Sequence, residues 1–320
     1  MRDLSYFFDR QSKFSNLFFK SEDMSADERE EVTKSLALAL HAEVSELISA
    51  VNFKDHRQLK SDADPSKILY ESVDVFRYLL AILNLWNIDT DSVIDAFDDK
   101  DMFLHMRHKI ESQPWEGQPV LVFDIDDVIA HFRSNFIDWL RSERGIIVDE
   151  NSTEYYTTTE VKNSGLNPEE VFDDFLSERM LRNLTADKGV VDVINYFYDK
   201  GCWIQLLTAR PGDVLQCKYD TYRWLSRSGL KFHRIDFSAE KYRWLTKSEY
   251  FDSGQIVCAI DDSAKHSAEY AKHGVVTFSP VTSYNTELED VDGVKMYHGP
   301  SQLKILIDTL LVKENLCEKV

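Results

Sequence analysis

Glycine is scarce in this chain of 320 residues: there are 11, none before Gly117, and a single proline, Pro65, precedes Pro114. The first third therefore lacks the residues that punctuate turns, and its apolar residues recur at three and four positions rather than two, a helical pattern without strand signals. Cysteine is also rare. Cys202, Cys217, Cys258 and Cys317 are scattered with no C-x-x-C pair, which argues against a disulfide framework and a zinc ribbon and for reduced thiols. Basic residues are too few for nucleic acid: 37 against 56 acidic ones give a formal charge of −19, so sequence-independent binding to long DNA or RNA would lack its main driving force. Apolar runs such as Ser35 to Leu40 and Val120 to Phe123 fall far short of the roughly 20 residues that span a bilayer. The N-terminus has no basic-then-apolar signal architecture, and the expected location is the cytoplasm. No G-x-x-x-x-G-K-[ST] phosphate loop occurs, which speaks against a kinase.

What is present is globular: 43% hydrophobic and 12% aromatic residues in a length that suggests about two domains. The stretch Glu111 to Pro119, with two prolines and a glycine, breaks the helical pattern just before Val120-Leu121-Val122-Phe123-Asp124. Residues 1–112 are thus read as an all-α bundle, 113–119 as a linker and 120–320 as an α/β domain. In the latter, Val120 to Phe123, Trp203 to Thr208, Ile256 to Ile260 and Val275 to Phe278 are strand-like. Helical stretches around Asp213 to Ser228 and Ser263 to His273 separate them, an alternation that implies a Rossmann-like parallel sheet covered by helices. A mostly helical insertion, about 133–187, is read as a cap.

Two constellations carry chemistry. Glu43-Val44-Ser45-Glu46 and Glu71-Ser72-Val73-Asp74 are acid pairs at i and i+3, so each pair shares one helical face. They interrupt the apolar ridges Leu36, Leu40, Leu47, Ala50 and Ile68, Val75, Tyr78, Ile82, which are expected to be buried. Unpaired carboxylates there would cost several kcal/mol each. A solvated charged face is the bland alternative; with only Arg77 near as a cation, a hard metal such as Mg²⁺ is the preferred compensation.

Here the sequence resembles the all-α nucleotide pyrophosphohydrolases of the MazG-type and dimeric dUTPase superfamily, whose signature is E-x-x-E followed by E-x-x-D. The resemblance covers roughly residues 1–110. It implies that Glu43, Glu46, Glu71 and Asp74 bind Mg²⁺, that a nucleoside triphosphate is cleaved to monophosphate and pyrophosphate, and that the helical domain dimerises. Lys100 and Arg107 fit the family's next motif as substrate contacts, while Leu104 stands where the family has Asn. Gln11, with Phe53-Lys54, looks like the base-reading part of the dUTPase branch.

The second constellation begins with Asp124-Ile125-Asp126-Asp127-Val128 at a strand end. It continues with Thr208-Ala209-Arg210, Lys241 and Ile260-Asp261-Asp262-Ser263. Acids after a strand can simply cap the next helix, but strand ends are also where α/β sheets bind ligands. In this order the elements resemble the haloacid dehalogenase phosphatase superfamily, over about residues 120–310. The resemblance implies Asp124 as nucleophile and Asp126 as general acid/base. Thr208 and Lys241 would hold the phosphoryl group, and Asp261 and Asp262, with Asp124 and Asp126, would bind Mg²⁺. Asp127 replaces the usual glycine, and Lys247 and Lys265 are rivals to Lys241. The start, Asp124 to Phe132, is similar to deoxyribonucleotidases and makes Phe132 a base contact; the Arg210 segment is similar to the phosphatase half of polynucleotide kinase 3′-phosphatase and makes Arg210 a substrate contact. Tyr155 and Tyr156 are either base contacts or cap core. His105 and His108 read as a surface pair, and Glu287 to Asp292 as a solvated loop.

Together these imply a bifunctional Mg²⁺-dependent nucleotide hydrolase acting on tri- and then monophosphates. The rivals are a phosphatase for nucleic-acid 3′ ends and a non-enzymatic regulator.

Overall fold

The computed structural model describes residues 3–51, 63–149 and 152–313; Phe53-Lys54 and Cys317 lie outside them. The chain forms two compact units, dividing between Asp98 and Asp99.

The first unit is helical. Helix α1 (Leu4–Ser15) starts at Asp3, whose carboxylate accepts from the Tyr6 N–H, and α2 (Ala26–Ser49) at a reciprocal capping box between Ser25 and Glu28. Helix α3 (Pro65–Leu85) has proline at its first position and the Asp64 side chain accepting from the Ser66 and Lys67 amides, the combination that satisfies orphan N–H groups at a helix start. Helix α3 packs on α1 and α2, burying Leu80, Ala81 and Leu85. The expected burial of the α2 ridge is not found: α2 holds no buried residue, Leu36, Leu40 and Leu47 are only half-covered, and Leu38 is 74% exposed. A three-helix arrangement has too little surface to cover both sides of a 24-residue helix.

Helix α4 (Thr90–Glu111) contains the division between units, earlier than the 113–119 linker. The reason is its second half: Asp99, Phe103 and Ile110 are buried among residues of the second unit. The Asp99 carboxylate accepts from Arg179 and Arg182 at 2.7 Å each and pairs with Arg223 at 3.0 Å. The Phe103 ring meets those of Tyr219 and Tyr222 edge-on.

The second unit is built on six parallel strands, β1 (Val120–Phe123), β2 (Trp203–Thr208), β3 (Arg234–Phe237), β4 (Ile256–Ile260), β5 (Thr277–Pro280) and β6 (Val294–Tyr297), in the order β3-β2-β1-β4-β5-β6. Val120 to Phe123 and Trp203 to Thr208 are buried throughout, as expected of strands covered on both faces. Strand β5 begins two residues later than Val275. β3 and β6 escape the sequence reading because charges break their apolar runs; in β3, Arg234 and Asp236 point the same way and pair at 2.7 Å. The crossover helices are α8 (Lys188–Asp199), α9 (Leu215–Ser228), α10 (Lys241–Lys247), α11 (Ala264–Lys272) and, after β6, α12 (Gly299–Lys313). Between β1 and α8 lie α5 (Phe132–Arg144), α6 (Thr158–Asn163) and α7 (Pro168–Ser177), the helical insertion. Gly145 ends α5 with φ of 66°, a left-handed turn that glycine takes without a Cβ clash. Cys202, Cys217 and Cys258 are buried and form no disulfide among the described residues. Among the described residues no helix is long and apolar enough to cross a membrane.

Candidate active site

Strand order fixes where chemistry can occur. The chain runs outward from β1 through β2 to β3, then restarts on the other side of β1 with β4. The crevice at the carboxyl ends of β1 and β4 is therefore the topological switch point, the usual ligand site of such sheets. Asp124 follows β1, its N–H donating to the Ile260 carbonyl at 2.8 Å. Asp261 and Asp262 follow β4, and the Asp261 N–H donates to the Phe278 carbonyl.

Asp124, Asp261 and Asp262 are all buried, and each offers a carboxylate oxygen within 4.8 Å of the others. Lys241, at the start of α10 and 0% exposed, places its Nζ 2.8 Å from Asp124 Oδ1 and 2.7 Å from Asp261 Oδ2. Of the three candidate lysines it is the one held by the acids; Lys247 and Lys265 are exposed. Three carboxylates against one ammonium leave an excess of negative charge. Burial accordingly raises the pKa of Asp124, against the pull of Lys241, and raises those of Asp261 and Asp262. The donor set, all hard oxygens in a site short of positive charge, fits Mg²⁺.

Asp126 is held from the side. Arg210 donates Nε to Asp126 Oδ2 at 2.9 Å and Nη2 to Oδ1 at 2.5 Å, and its Nη1 reaches Thr221 at 3.0 Å. Arg210, read from the sequence as a substrate contact, is thus engaged with the candidate acid/base. Thr208 is fully buried at the end of β2, its hydroxyl accepting from the Arg210 N–H at 3.2 Å.

Above these groups opens a cavity of about 500 Å³, walled by Phe132, Tyr155, Tyr156, Phe172, His266 and Tyr284, with Asp124, Asp126, Lys241 and Asp262 also facing it. Phe132 is 4% exposed and stacks on Phe136 and Tyr155, so much of its ring belongs to the core. Tyr156, 51% exposed, has more surface to offer a planar ligand. Residues that the sequence reading missed support the acids from a loop after β5. The Tyr284 hydroxyl donates to Asp262 Oδ2 at 2.8 Å, and the Asn285 side chain donates to the Asp262 and Pro280 carbonyls at 2.9 Å each. Their only sequence signal is a position shortly after a strand end. Asp127 occupies the left-handed region at φ 51°, and burial lifts its carboxyl pKa to about 7.

In the first unit, Glu43, Glu46 and Glu71 bring carboxylate oxygens within 4.8 Å of one another. Glu43 and Glu71 are half-buried, Glu46 and Asp74 exposed. Desolvation, and then the charges of Glu46, Asp74 and Glu71, raise the Glu43 pKa. Arg77 lies over the Phe14 ring at 4.6 Å. This second oxygen-only cluster also suits Mg²⁺. The other candidates of the helical motif are occupied elsewhere. Gln11 is buried and donates to Ser15 Oγ at 3.2 Å. Lys100 and Arg107 lie on the part of α4 that belongs to the second unit; Lys100 reaches the Tyr219 hydroxyl at 3.3 Å and Arg107 pairs with Glu111 at 3.5 Å. His105 pairs with Asp101 at 3.5 Å.

No family model matches the chain, and no curated protein matches it. Solved structures do. A provisionally assigned β-phosphoglucomutase from Thermotoga maritima is 16% identical, with 60% of this chain and 99% of that one covered at a TM-score of 0.44. A HAD family hydrolase from Deinococcus radiodurans R1, with bound phosphate and sodium, is 11% identical over 61% of this chain and 96% of its own, TM-score 0.43. A phosphonoacetaldehyde hydrolase-like protein from Oleispira antarctica is 12% identical over 63% and 95%, TM-score 0.44.

Proposed function

We propose that the second unit is a phosphatase for nucleoside monophosphates and that the helical unit hydrolyses nucleoside triphosphates to supply them. The observation that carries the first half is Lys241, completely buried yet bridging Asp124 and Asp261 at 2.8 and 2.7 Å beneath an aromatic-walled cavity. An ammonium so placed serves an anion that must approach a carboxylate. Asp124 attacks phosphorus and displaces the alkoxide, giving an aspartyl phosphate; Asp126, oriented by Arg210, protonates the leaving oxygen and then takes a proton from the water that opens the acyl phosphate. Lys241 offsets charge on the phosphoryl oxygens. Asp124, Asp261 and Asp262, with the Asp126 carbonyl, would hold Mg²⁺, which would supply further charge neutralisation. The planar base rests against Tyr156 and the exposed edge of Phe132.

For the helical unit, the support is the convergence of Glu43, Glu46 and Glu71 with Asp74 adding its charge; these four acids would hold Mg²⁺, which would supply the positive charge a triphosphate needs. Leu38, Leu69, Tyr70 and Phe97, each at least 60% exposed, favour a homodimer or larger assembly through this unit. Free, buried thiols suit a cytoplasmic setting.

The test is product analysis with Mg²⁺ on the common ribo- and deoxyribonucleoside triphosphates. Wild type should yield nucleoside, phosphate and pyrophosphate, Asp124→Asn should stop at monophosphate, and Glu71→Gln should leave triphosphate intact. A 3′-phosphorylated oligonucleotide consumed in preference to every monophosphate would replace this reading with end-processing of nucleic acid.

A further inference from the structure

Asp127 carries two costs without facing the catalytic cavity. It is a non-glycine residue at φ 51°, a left-handed conformation that side chains seldom adopt, and its carboxylate is largely removed from water. What it gains are two contacts. The carboxylate accepts the Arg133 N–H, with both oxygens 3.1 Å away, and its charge interacts with the nearby Tyr155 hydroxyl. Arg133 extends the connection: its guanidinium donates to the Ser152 carbonyl at 2.8 Å and the Glu154 carbonyl at 3.4 Å, while the Ser283 hydroxyl donates to the same Ser152 carbonyl at 3.0 Å. Tyr155 stacks on Phe132 at 5.7 Å and meets Tyr284 edge-on at 5.0 Å. Residues 152–156 are therefore tied at several points to side chains that adjoin Asp126 and Asp262, and Tyr155 and Tyr156 are the part of this segment that walls the cavity.

We propose that Asp127 and Arg133 are positioning residues that fasten the Tyr155–Tyr156 wall over the reacting acids, and so set the preference of the site for phosphate esters with a large planar leaving group over small ones. The inference rests on the phosphatase reading. Neither residue touches the reacting atoms; each acts through the tyrosine pair. The bare backbone requirement at 127 would be met better by glycine, so the carboxylate must answer to its partners.

The full-length protein is compared with Tyr155→Phe, Asp127→Gly, Asp127→Asn and Arg133→Lys, using a nucleoside monophosphate and glycerol 2-phosphate as substrates with Mg²⁺. Hydrogen exchange across residues 152–157 is followed in parallel. Tyr155→Phe keeps both rings and removes only the hydroxyl; losing its interaction with Asp127 should lower kcat/KM for the nucleotide roughly five- to ten-fold, chiefly through KM. For glycerol phosphate, kcat/KM should fall clearly less, so that the ratio between the two substrates shifts. Asp127→Gly should give the same split without loss of melting temperature, because the backbone is relieved as the contact is lost, and Asp127→Asn, which retains an acceptor and tolerates the left-handed turn, should restore most of the preference. Exchange of 152–157 should quicken in Tyr155→Phe, Asp127→Gly and Arg133→Lys.

Equal losses on both substrates, an unchanged preference in Tyr155→Phe and Asp127→Gly, or unaltered exchange in this segment would overturn the proposal. If wild type hydrolyses neither ester, the phosphatase reading itself fails and takes the preference with it, an outcome distinguished from the others by the missing turnover of the unsubstituted protein.

Discussion

Replacing Asp124, the proposed nucleophile, should make the metal-free protein more stable while abolishing the proposed phosphatase activity. Asp124 is 7% exposed, and burial lifts its carboxyl pKa from 3.8 to about 7 despite the neighbouring Lys241. In an unfolded chain the group ionises near its ordinary value. Between pH 3.8 and 7 the native state thus holds a proton that the unfolded state has released, and stability attributable to this group is lost as pH rises through that window. At about 1.4 kcal/mol per pKa unit, a carboxyl lifted from 3.8 to about 7 sets an upper figure on the order of 4 kcal/mol at pH 8. Asn copies the neutral carboxyl in shape and carries no charge. Asp124→Asn should therefore stabilise the protein in EDTA at pH 8 by about 2–4 kcal/mol, seen as a rise of roughly 5–10 °C in the melting transition of the α/β unit, and the gain should vanish near pH 4. Nucleoside monophosphate turnover should fall by at least about a thousand-fold, since no other group can form the acyl phosphate. Differential scanning calorimetry at a series of pH values reads the first effect. A lower melting temperature for the variant at pH 8 would refute the reasoning, because it would mean that Lys241 more than compensates the burial of Asp124.

Other expectations follow from the same charges. Mg²⁺ should raise the melting temperature of wild type more at pH 8 than at pH 5, where protons compete for Asp124, Asp261 and Asp262; a shift independent of pH in thermal titrations would count against the carboxylate site. Lys241→Met leaves two buried carboxylates without their shared cation, and removal of one member of such a pair costs about 3–5 kcal/mol; denaturant unfolding at pH 8 measures it, and a loss under about 1 kcal/mol would contradict the buried bridge. Arg179 and Arg182 also pair with Asp220, so Asp99→Ala leaves those two with one carboxylate and removes the Asp99 partner of Arg223, with a loss of similar size, about 3–5 kcal/mol, expected in the same assay. Glu46→Gln should remove triphosphate hydrolysis by at least about a hundred-fold while monophosphate turnover is retained, and parallel loss of both activities would show that the two clusters are not separate sites.

The parts of the site legible in the sequence are those defined by strand ends. Asp124 and Asp261 each follow an apolar strand, and a parallel sheet delivers such positions to one edge, so the approach of these two acids could be read without coordinates. Lys241 was placed by spacing, and its bridge to Asp124 and Asp261 is what the structure adds. Tyr284 and Asn285 could not be read, because a loop that reaches back to Asp262 over more than twenty residues leaves no periodic trace. Arg210 illustrates a different limit: its presence was noticed but its partner was not, since a guanidinium beside an active site can face a ligand or an acid, and only the fold decides. In the helical unit the i, i+3 spacing put Glu43 and Glu46 on one face, as helix geometry requires, yet could not tell how much of that face other helices would cover. Lys100 and Arg107 lie on the half of α4 that belongs to the second unit, a division of one helix that periodicity does not mark.

The cysteines have a practical consequence. All four lie in the second half of the chain, and Cys202, Cys217 and Cys258 are at most 2% exposed, with burial raising the pKa of Cys217 to about 11 and that of Cys258 further still. In the native protein these three are shielded from alkylating reagents by packing, and Cys217 and Cys258 also by being held as thiols rather than thiolates. Residues 3–51 and 63–98 contain no cysteine at all. Labelling followed at Cys202, Cys217 and Cys258 is thus a built-in reporter that ignores the helices of the first unit and registers the opening of the α/β unit.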